Sequence, residues 1–288
     1  MILNKNVRFA IYTAIIVVCF VSVILAIYDA VFLKEEPDNT IIIPATGNQT
    51  GAGENPEEPE ETMEVRVANF KMLFTNQIYK GNYDVSRIEK IDQAQDIIYT
   101  AAELQDTKDL YEISLKIPII NINNEITQRF NQNTQEIFAD RANKILQGTT
   151  EKTIFDVEYV AYLNGDILSL VIMSTLKEGE QPQRVIVQTY NYNVRTKAEV
   201  TAEEMLTSLH YDINTVNDEI KREIQQVSEE AAALQQSGYE GYNRNPEDSR
   251  YQVKNAKTYF MGENGAVYLV YAYGNNDVTS EMDIIRFD

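Results

Sequence analysis

The chain has 288 residues, with 25 Lys+Arg against 44 Asp+Glu, one cysteine, one histidine and no tryptophan. That length holds one large folded unit or two small ones. The acidic balance repels nucleic acid, and a single cysteine leaves out a disulfide framework.

Residues 9–28, FAIYTAIIVVCFVSVILAIY, form a run of 20 residues without a charge. As a helix rising 1.5 Å per residue it would reach roughly 30 Å, the hydrocarbon thickness of a bilayer. Tyr12 and Tyr28 stand near its ends, where amphipathic rings rest among headgroups. The run exceeds the roughly 7–15 residues of a signal-peptide core. Neither Ala26-Ile27-Tyr28 nor Tyr28-Asp29-Ala30 places small residues at both cleavage positions. It therefore predicts a transmembrane anchor ahead of a cleaved signal peptide or a buried core helix. Lys5 and Arg8 precede the span, whereas Lys34 beyond it is followed by Glu35, Glu36 and Asp38. The positive-inside rule then keeps residues 1–8 as a cytoplasmic tail and sends the rest outside the cell membrane. Cys19 lies mid-span behind Val17 and Val18, where lipidation would want a small residue, and is expected to be an apolar filler.

Residues 29–64 are expected to form a flexible acidic stem, with Pro37, Pro44, Pro56 and Pro59, the glycines of GNQTGAG and the run ENPEEPEE. Such a composition buries too little apolar surface to offset ordering entropy. A flexible chain of this length spans on the order of 30 Å. Asn48-Gln49-Thr50 matches the N-glycosylation pattern, a triplet common by chance.

From residue 65 the composition turns globular, and an α+β ectodomain of antiparallel sheet with two main packed helices is expected, its halves at 65–148 and 149–288. VRVANFKMLFTNQIY (65–79) and DIIYTAAEL (96–104) predict strands. In LYEISLKIPIINI (110–122) Tyr111, Ile113, Leu115 and Ile117 alternate onto one face, and Pro118 marks an edge or bulge. A helix follows, capped by Asn121, Asn123 or Asn124. Its stripe is Ile126, Phe130, Ile137, Phe138, Ala142, Ile145 and Leu146, and Gly148 stops it. KTIFDVEYVAYLN and ILSLVIMSTL flank the Asn164-Gly165-Asp166 turn as a hairpin, and QRVIVQTYNYNV (183–194) adds a strand. Thr201 to Glu204 is a capping box for a short helix through Leu209. A second helix over 213–236 carries Ile213, Val216, Ile220, Ile224, Val227, Ala231 and Leu234, and ends at Gly238. Strands are then expected at 251–261, 266–273 and 282–287, the first two joined through Glu263-Asn264-Gly265.

Residues 66–287 resemble a family of bacterial exported domains. It accompanies the catalytic domain of PdaC-type peptidoglycan deacetylases and forms the outer part of RsiV, the lysozyme-sensing anti-sigma factor. The likeness lies in YEISLKIPIINI before the asparagine-rich helix start, the hairpin EYVAYLNGDILSLVI, the stretch QRVIVQTYNYNVRTKAEVTAEEML and the closing YFMGENGAVYLVYAYGNNDVTSEMDIIRF. These are structural punctuation, not catalytic signatures. A deacetylase domain, with its Asp-Asp pair and metal-binding histidines, has no match here. Eight residues before the span are too few for a sigma-binding segment. What the resemblance implies is the recognition half alone, an outward-facing domain for a wall glycan or a wall-attacking protein.

The residues themselves point away from catalysis. His210 has no second histidine and no HExxH, so it is expected at a helix end rather than in a metal or acid–base site. No G-x-S-x-G elbow and no EF-hand loop is present. Acids are everywhere, and no Asp/Glu pair stands out by a glycosidase-like spacing. Neither an enzymatic activity nor a cofactor is expected. Two features invite a binding role. Beyond the membrane stand 23 basic and 43 acidic residues, a balance of −20, which would draw a cationic lysozyme-like protein or simply keep the domain soluble. The loop SGYEGYNRNPEDSRY (237–251) mixes Tyr239, Tyr242 and Tyr251 with Asn243 and Arg244, the composition of recognition surfaces. The same loop could equally fold back with its rings packed on a sheet. The expected function is a non-catalytic recognition or sensor domain of the bacterial envelope, with a structural subunit of a membrane complex as the alternative.

Overall fold

The computed structural model describes residues 62–238, 242–272 and 281–288, which fall in one compact unit, Glu60–Asp288. The expected cytoplasmic tail, the span with Cys19, the Asn48 triplet and the stem up to residue 61 lie outside the described residues. Among the described residues no helix is long and apolar enough to cross a membrane. The fold is α+β, with four helices and two sheets among those residues.

The first element corrects the sequence reading. Met63–Met72 form helix α1, not a strand, capped by the Thr62 hydroxyl, which accepts from the Val65 N–H. Met63, Val67, Phe70 and Phe74 recur at i, i+4, i+7 and i+11, and Met63, Phe70 and Phe74 are buried. That helical stripe outweighs the short β-branched alternation around Val65, which stays exposed.

The main sheet has seven strands: β1 (Ile78–Tyr79), β2 (Ile98–Lys108), β3 (Tyr111–Ile120), β4 (Thr153–Asn164), β5 (Ile167–Glu178), β6 (Arg184–Asn193) and β7 (Ala198–Glu199). They run in the order β2-β3-β4-β5-β6-β7, antiparallel except that β4 pairs in parallel with β3 over Thr153–Val157 and with β1 at Ala161 and Tyr162. A parallel pair needs a crossover. Helix α2 supplies it, as Glu125–Thr134, a π turn Gln135–Ala139 and Asp140–Gln147 in one run. Asn124 is its cap, donated to by the Ile126 N–H at 2.9 Å. Asn121 instead clamps the loop before β2, accepting from Asp92 N–H and donating to the Asp92 and Asp96 carbonyls. Eight residues separate Phe130 from Phe138, about 80° past two regular turns. The π turn absorbs part of that excess, and both rings are buried. Leu146, expected on the stripe, is exposed. Pro118 stands opposite Thr100 at the β2 bulge between Thr100 and Ala102, the kind of position to which a strand proline is confined.

Beyond the sheet, α3 (Ala202–Ser208) opens on a complete capping box at Thr201/Glu204. Helix α4 (Ile213–Gln236) ends before Gly238, which takes φ +83. The second sheet is β8 (Tyr259–Met261), β9 (Val267–Ala272) and β10 (Met282–Phe287), antiparallel in the order β10-β9-β8. The strand expected over 251–261 is mostly two 3₁₀ turns, Ser249–Tyr251 and Val253–Asn255, with only its last residues paired. Tyr251 and Val253 alternate inward, so the burial period of a strand occurs without a ladder partner. The Val253 N–H bonds Asn217 of α4 instead, at 2.9 Å.

Two apolar cores follow from strand alternation. On one face of the main sheet, Ile113, Phe155, Leu170 and Tyr190 meet Phe130 and Phe138 of α2. On the other, Val160, Tyr162, Val171 and Val187 meet Phe260 and Leu269 of the small sheet, with Phe70 of α1 and Ile220 and Ile224 of α4. Each such side chain, fully buried, contributes about 1.5–3 kcal/mol.

Candidate functional site

The loop after α4 carries charge and aromatic rings, and the fold turns much of both inward. Asp283 on β10 is fully buried. The Arg244 guanidinium donates to its Oδ1 from Nε at 3.1 Å, with Nη2 at 3.0 Å, and Tyr251 donates its hydroxyl to Oδ2 at 2.9 Å. Arg244 Nη2 also reaches Glu281 at 3.2 Å, and Nη1 donates to the Tyr242 carbonyl at 2.6 Å. The Arg244 side chain is 7% exposed. Burial, reinforced by the Asp283 charge, pushes the Tyr251 phenol up, so it remains a protonated donor. The network fastens the loop to the small sheet, and Ser228 of α4 holds it by donating to the Arg244 carbonyl at 2.9 Å.

Of the residues expected in a recognition loop, Tyr251 is buried and the Arg244 guanidinium is turned inward onto Asp283. Tyr242 is half-buried with the Arg244 guanidinium 5.7 Å from its ring centre, Asn243 is exposed, and Tyr239 lies outside the described residues. His210 is exposed at the α3–α4 turn with φ +67, its N–H bonded to the Thr207 carbonyl. It sits at a helix end, as its place between two helix signals predicts.

A different surface gathers uncompensated charge. The small sheet covers the main sheet at β5 and β6, whereas Glu112 and Ser114 of β3 and Glu158 of β4, beyond that cover, are exposed. On β3 the inward residues Tyr111, Ile113, Leu115 and Ile117 are buried against α2, so Glu112, Ser114 and Lys116 point the other way. On β4, Phe155 and Val157 go inward, and Asp156 and Glu158 outward. Parallel pairing sets Glu112 against Ile154 and Ser114 against Asp156, so the carboxylates of Glu112, Asp156 and Glu158 share one patch. On β2, Glu103 is paired to Lys116 at 3.4 Å. Among the described residues no lysine or arginine comes within ion-pair distance of Glu112, Asp156 or Glu158. Half-burial, then the charges of Glu112 and Glu158, raise the Asp156 carboxyl above the usual carboxylate range. A carboxylate strained in this way gains from an incoming Lys or Arg side chain. The period-2 pattern of YEISLKI and IFDVEY holds these residues in plain view. The signal was the polar side of the alternation, whereas attention to the core selects its apolar side.

Two crystal structures of DUF3298 family proteins resemble this chain. One, from Pseudomonas aeruginosa PAO1, is 9% identical and aligns over 63% of this chain and 83% of its own, with a TM-score of 0.39. The other, from Bacteroides fragilis NCTC 9343, is 10% identical over 62% of this chain and 80% of its own, with a TM-score of 0.31. No family model and no curated protein matches the chain.

Proposed function

We propose that this chain is a membrane-anchored, outward-facing, non-catalytic recognition domain of the bacterial cell envelope, which binds a cationic wall-active protein on the open face of β2, β3 and β4. The carrying observation is the patch of Glu112, Asp156 and Glu158, without an ion-pair partner among the described residues, in a chain whose balance beyond residue 29 is −20. Similarity to the outer domains of PdaC-type deacetylases and of the RsiV anti-sigma factor supports the choice of partner class. The apolar run 9–28 and the charges flanking it support the anchor and its orientation.

The test is the affinity of the full chain, in detergent, for a cationic lysozyme-type muramidase as salt rises from about 0.05 to about 0.5 M, where the Debye length falls below about 5 Å. Affinity should fall steeply. No binding at low salt would favour a structural subunit of a membrane complex, and salt-insensitive binding would remove the charge argument.

A further inference from the structure

The main sheet separates the acidic face from a cleft on its helix side. The last turns of α2, the turn at Gly148–Thr150 and the adjoining ends of β4, β5 and β6 line an open cleft of ≈ 520 Å³. Small-molecule sites occupy about 300–1,000 Å³. Arg141 and Lys144, three residues apart and so on one side of α2, both line it. In so acidic a chain cations are scarce, and many of those described sit in ion pairs, such as Arg66–Glu223, Lys80–Asp96 and Arg244–Asp283. Arg141 and Lys144 are in none among the described residues, although Glu136 and Glu178 line the same cleft. One cation in the last turn would complement the helix dipole. That role accounts for Lys144 and leaves Arg141, half-buried at the cleft wall, without a charged partner among the described residues.

The rest of the lining narrows the ligand. Glu178 is bonded to Arg184 at 3.1 Å through Oε2, and Glu136 accepts from Gln132 through Oε1, so each keeps an oxygen for a ligand hydroxyl. The Thr150 hydroxyl makes no bond within the described protein, whereas Thr149 and Thr153 bond each other at 3.0 Å and the Glu151 carbonyl. Ile137 and Ile186 supply an apolar surface. Two carboxylates inside the cleft disfavour a dianion such as phosphate. Two cations favour one negative charge, and the spare acceptors and hydroxyl favour a ligand rich in hydroxyl groups with a C–H face. We infer that this cleft binds an acidic saccharide, with the sugar carboxylate held between Arg141 and Lys144. The inference is independent of the protein-binding face, which lies across the sheet.

A matched pair of probes tests it on the full chain in detergent: N-acetylmuramic acid, which carries a carboxylate, and N-acetylglucosamine, the same ring without it. Calorimetric or NMR titration should give saturable binding of the acid at or below about 10 mM, at least about tenfold tighter than the neutral sugar. Arg141→Gln with Lys144→Gln should erase that difference while lowering the unfolding temperature by no more than the loss of one helix-dipole cation costs, since neither side chain is in the core. Equal binding of both sugars, undiminished binding by the double variant, or no saturation by the acid would each overturn the site. Inorganic phosphate or an acidic tetrapeptide outcompeting the sugar would overturn the ligand class. Loss of muramidase binding in the same double variant would contradict the separation of the two faces.

Discussion

Replacing Arg244 by alanine should destabilise the domain severely, although a loop arginine in an acidic protein would ordinarily be taken for a surface residue. Its partner Asp283 is 0% exposed, and the pair is held at 3.0–3.1 Å with Tyr251 on the other carboxylate oxygen. Removing the guanidinium leaves a buried carboxylate with one neutral donor. Breaking a buried ion pair from one side costs about 3–5 kcal/mol. Part of that is recovered because Glu281, at 39% exposure, can draw water toward the site, so a loss near the lower end of the range is expected. Asp283→Asn keeps the Tyr251 contact and should cost less. Arg244→Met with Asp283→Leu should recover much of the loss, because desolvation of both charges is then avoided. Urea unfolding of the wild type, Arg244→Met, Asp283→Leu and the Met/Leu double variant, combined as a double-mutant cycle, measures the coupling. A loss below about 1 kcal/mol for Arg244→Ala would place the residue in the surface class and refute the burial reasoning.

Asp156→Asn should raise stability by a few tenths of a kcal/mol at pH 7, the scale of relieved like-charge neighbours on a sheet, while weakening a cationic partner. Because the folded-state value of Asp156 is raised, wild-type stability should gain on the variant as pH falls through that raised value, and the difference should close; a variant less stable at pH 7 would contradict this. Phe70→Ala should cost about 3–5 kcal/mol in denaturant unfolding, because α1 contributes its stripe to the second core, and a cost under about 1 kcal/mol would detach α1 from that core. Tyr271→Phe should be neutral or slightly stabilising, since its buried hydroxyl has no hydrogen-bond partner among the described residues and the edge contact with Tyr251 needs only the ring; a clear loss of stability would reveal a partner for it.

Much of the fold was legible because the burial faces are regular. β3 through β6 and helix α4 lie where alternation and the 3.6-residue stripe place them, and the Thr201 capping box and the Asn264-Gly265 turn, both residues at positive φ, fix their local geometry. Two expectations fail for one reason: short β-branched or aromatic alternation in 65–67 and 251–253 has the pattern of a strand without forming one. Helical spacing of Met63, Phe70 and Phe74 decides the first, and the second buries alternate residues in 3₁₀ turns. Parallel pairing of β3 with β4 joins residues about forty apart in sequence, and no local pattern announces it. For the site, composition showed that the loop holds Tyr, Asn and Arg but not which way they face. The deciding partner, Asp283, is 39 residues from Arg244, inside a strand whose other buried residues, Met282, Ile284, Ile285 and Phe287, are all apolar.

The open sheet face is tested most directly by one binding comparison. The full chain and a variant with Glu112→Gln, Asp156→Asn and Glu158→Gln are titrated with a cationic lysozyme-type muramidase at about 0.05 M salt, where the Debye length is roughly 14 Å. These outward side chains take no part in either core, so the variant should fold as the wild type does, with only the small gain in stability expected from relieved like-charge repulsion. Loss of three carboxylates facing the partner should weaken binding at least about tenfold, or about 1.4 kcal/mol. Equal affinity of the two proteins would show that the partner, if bound at all, is held elsewhere than on β2, β3 and β4.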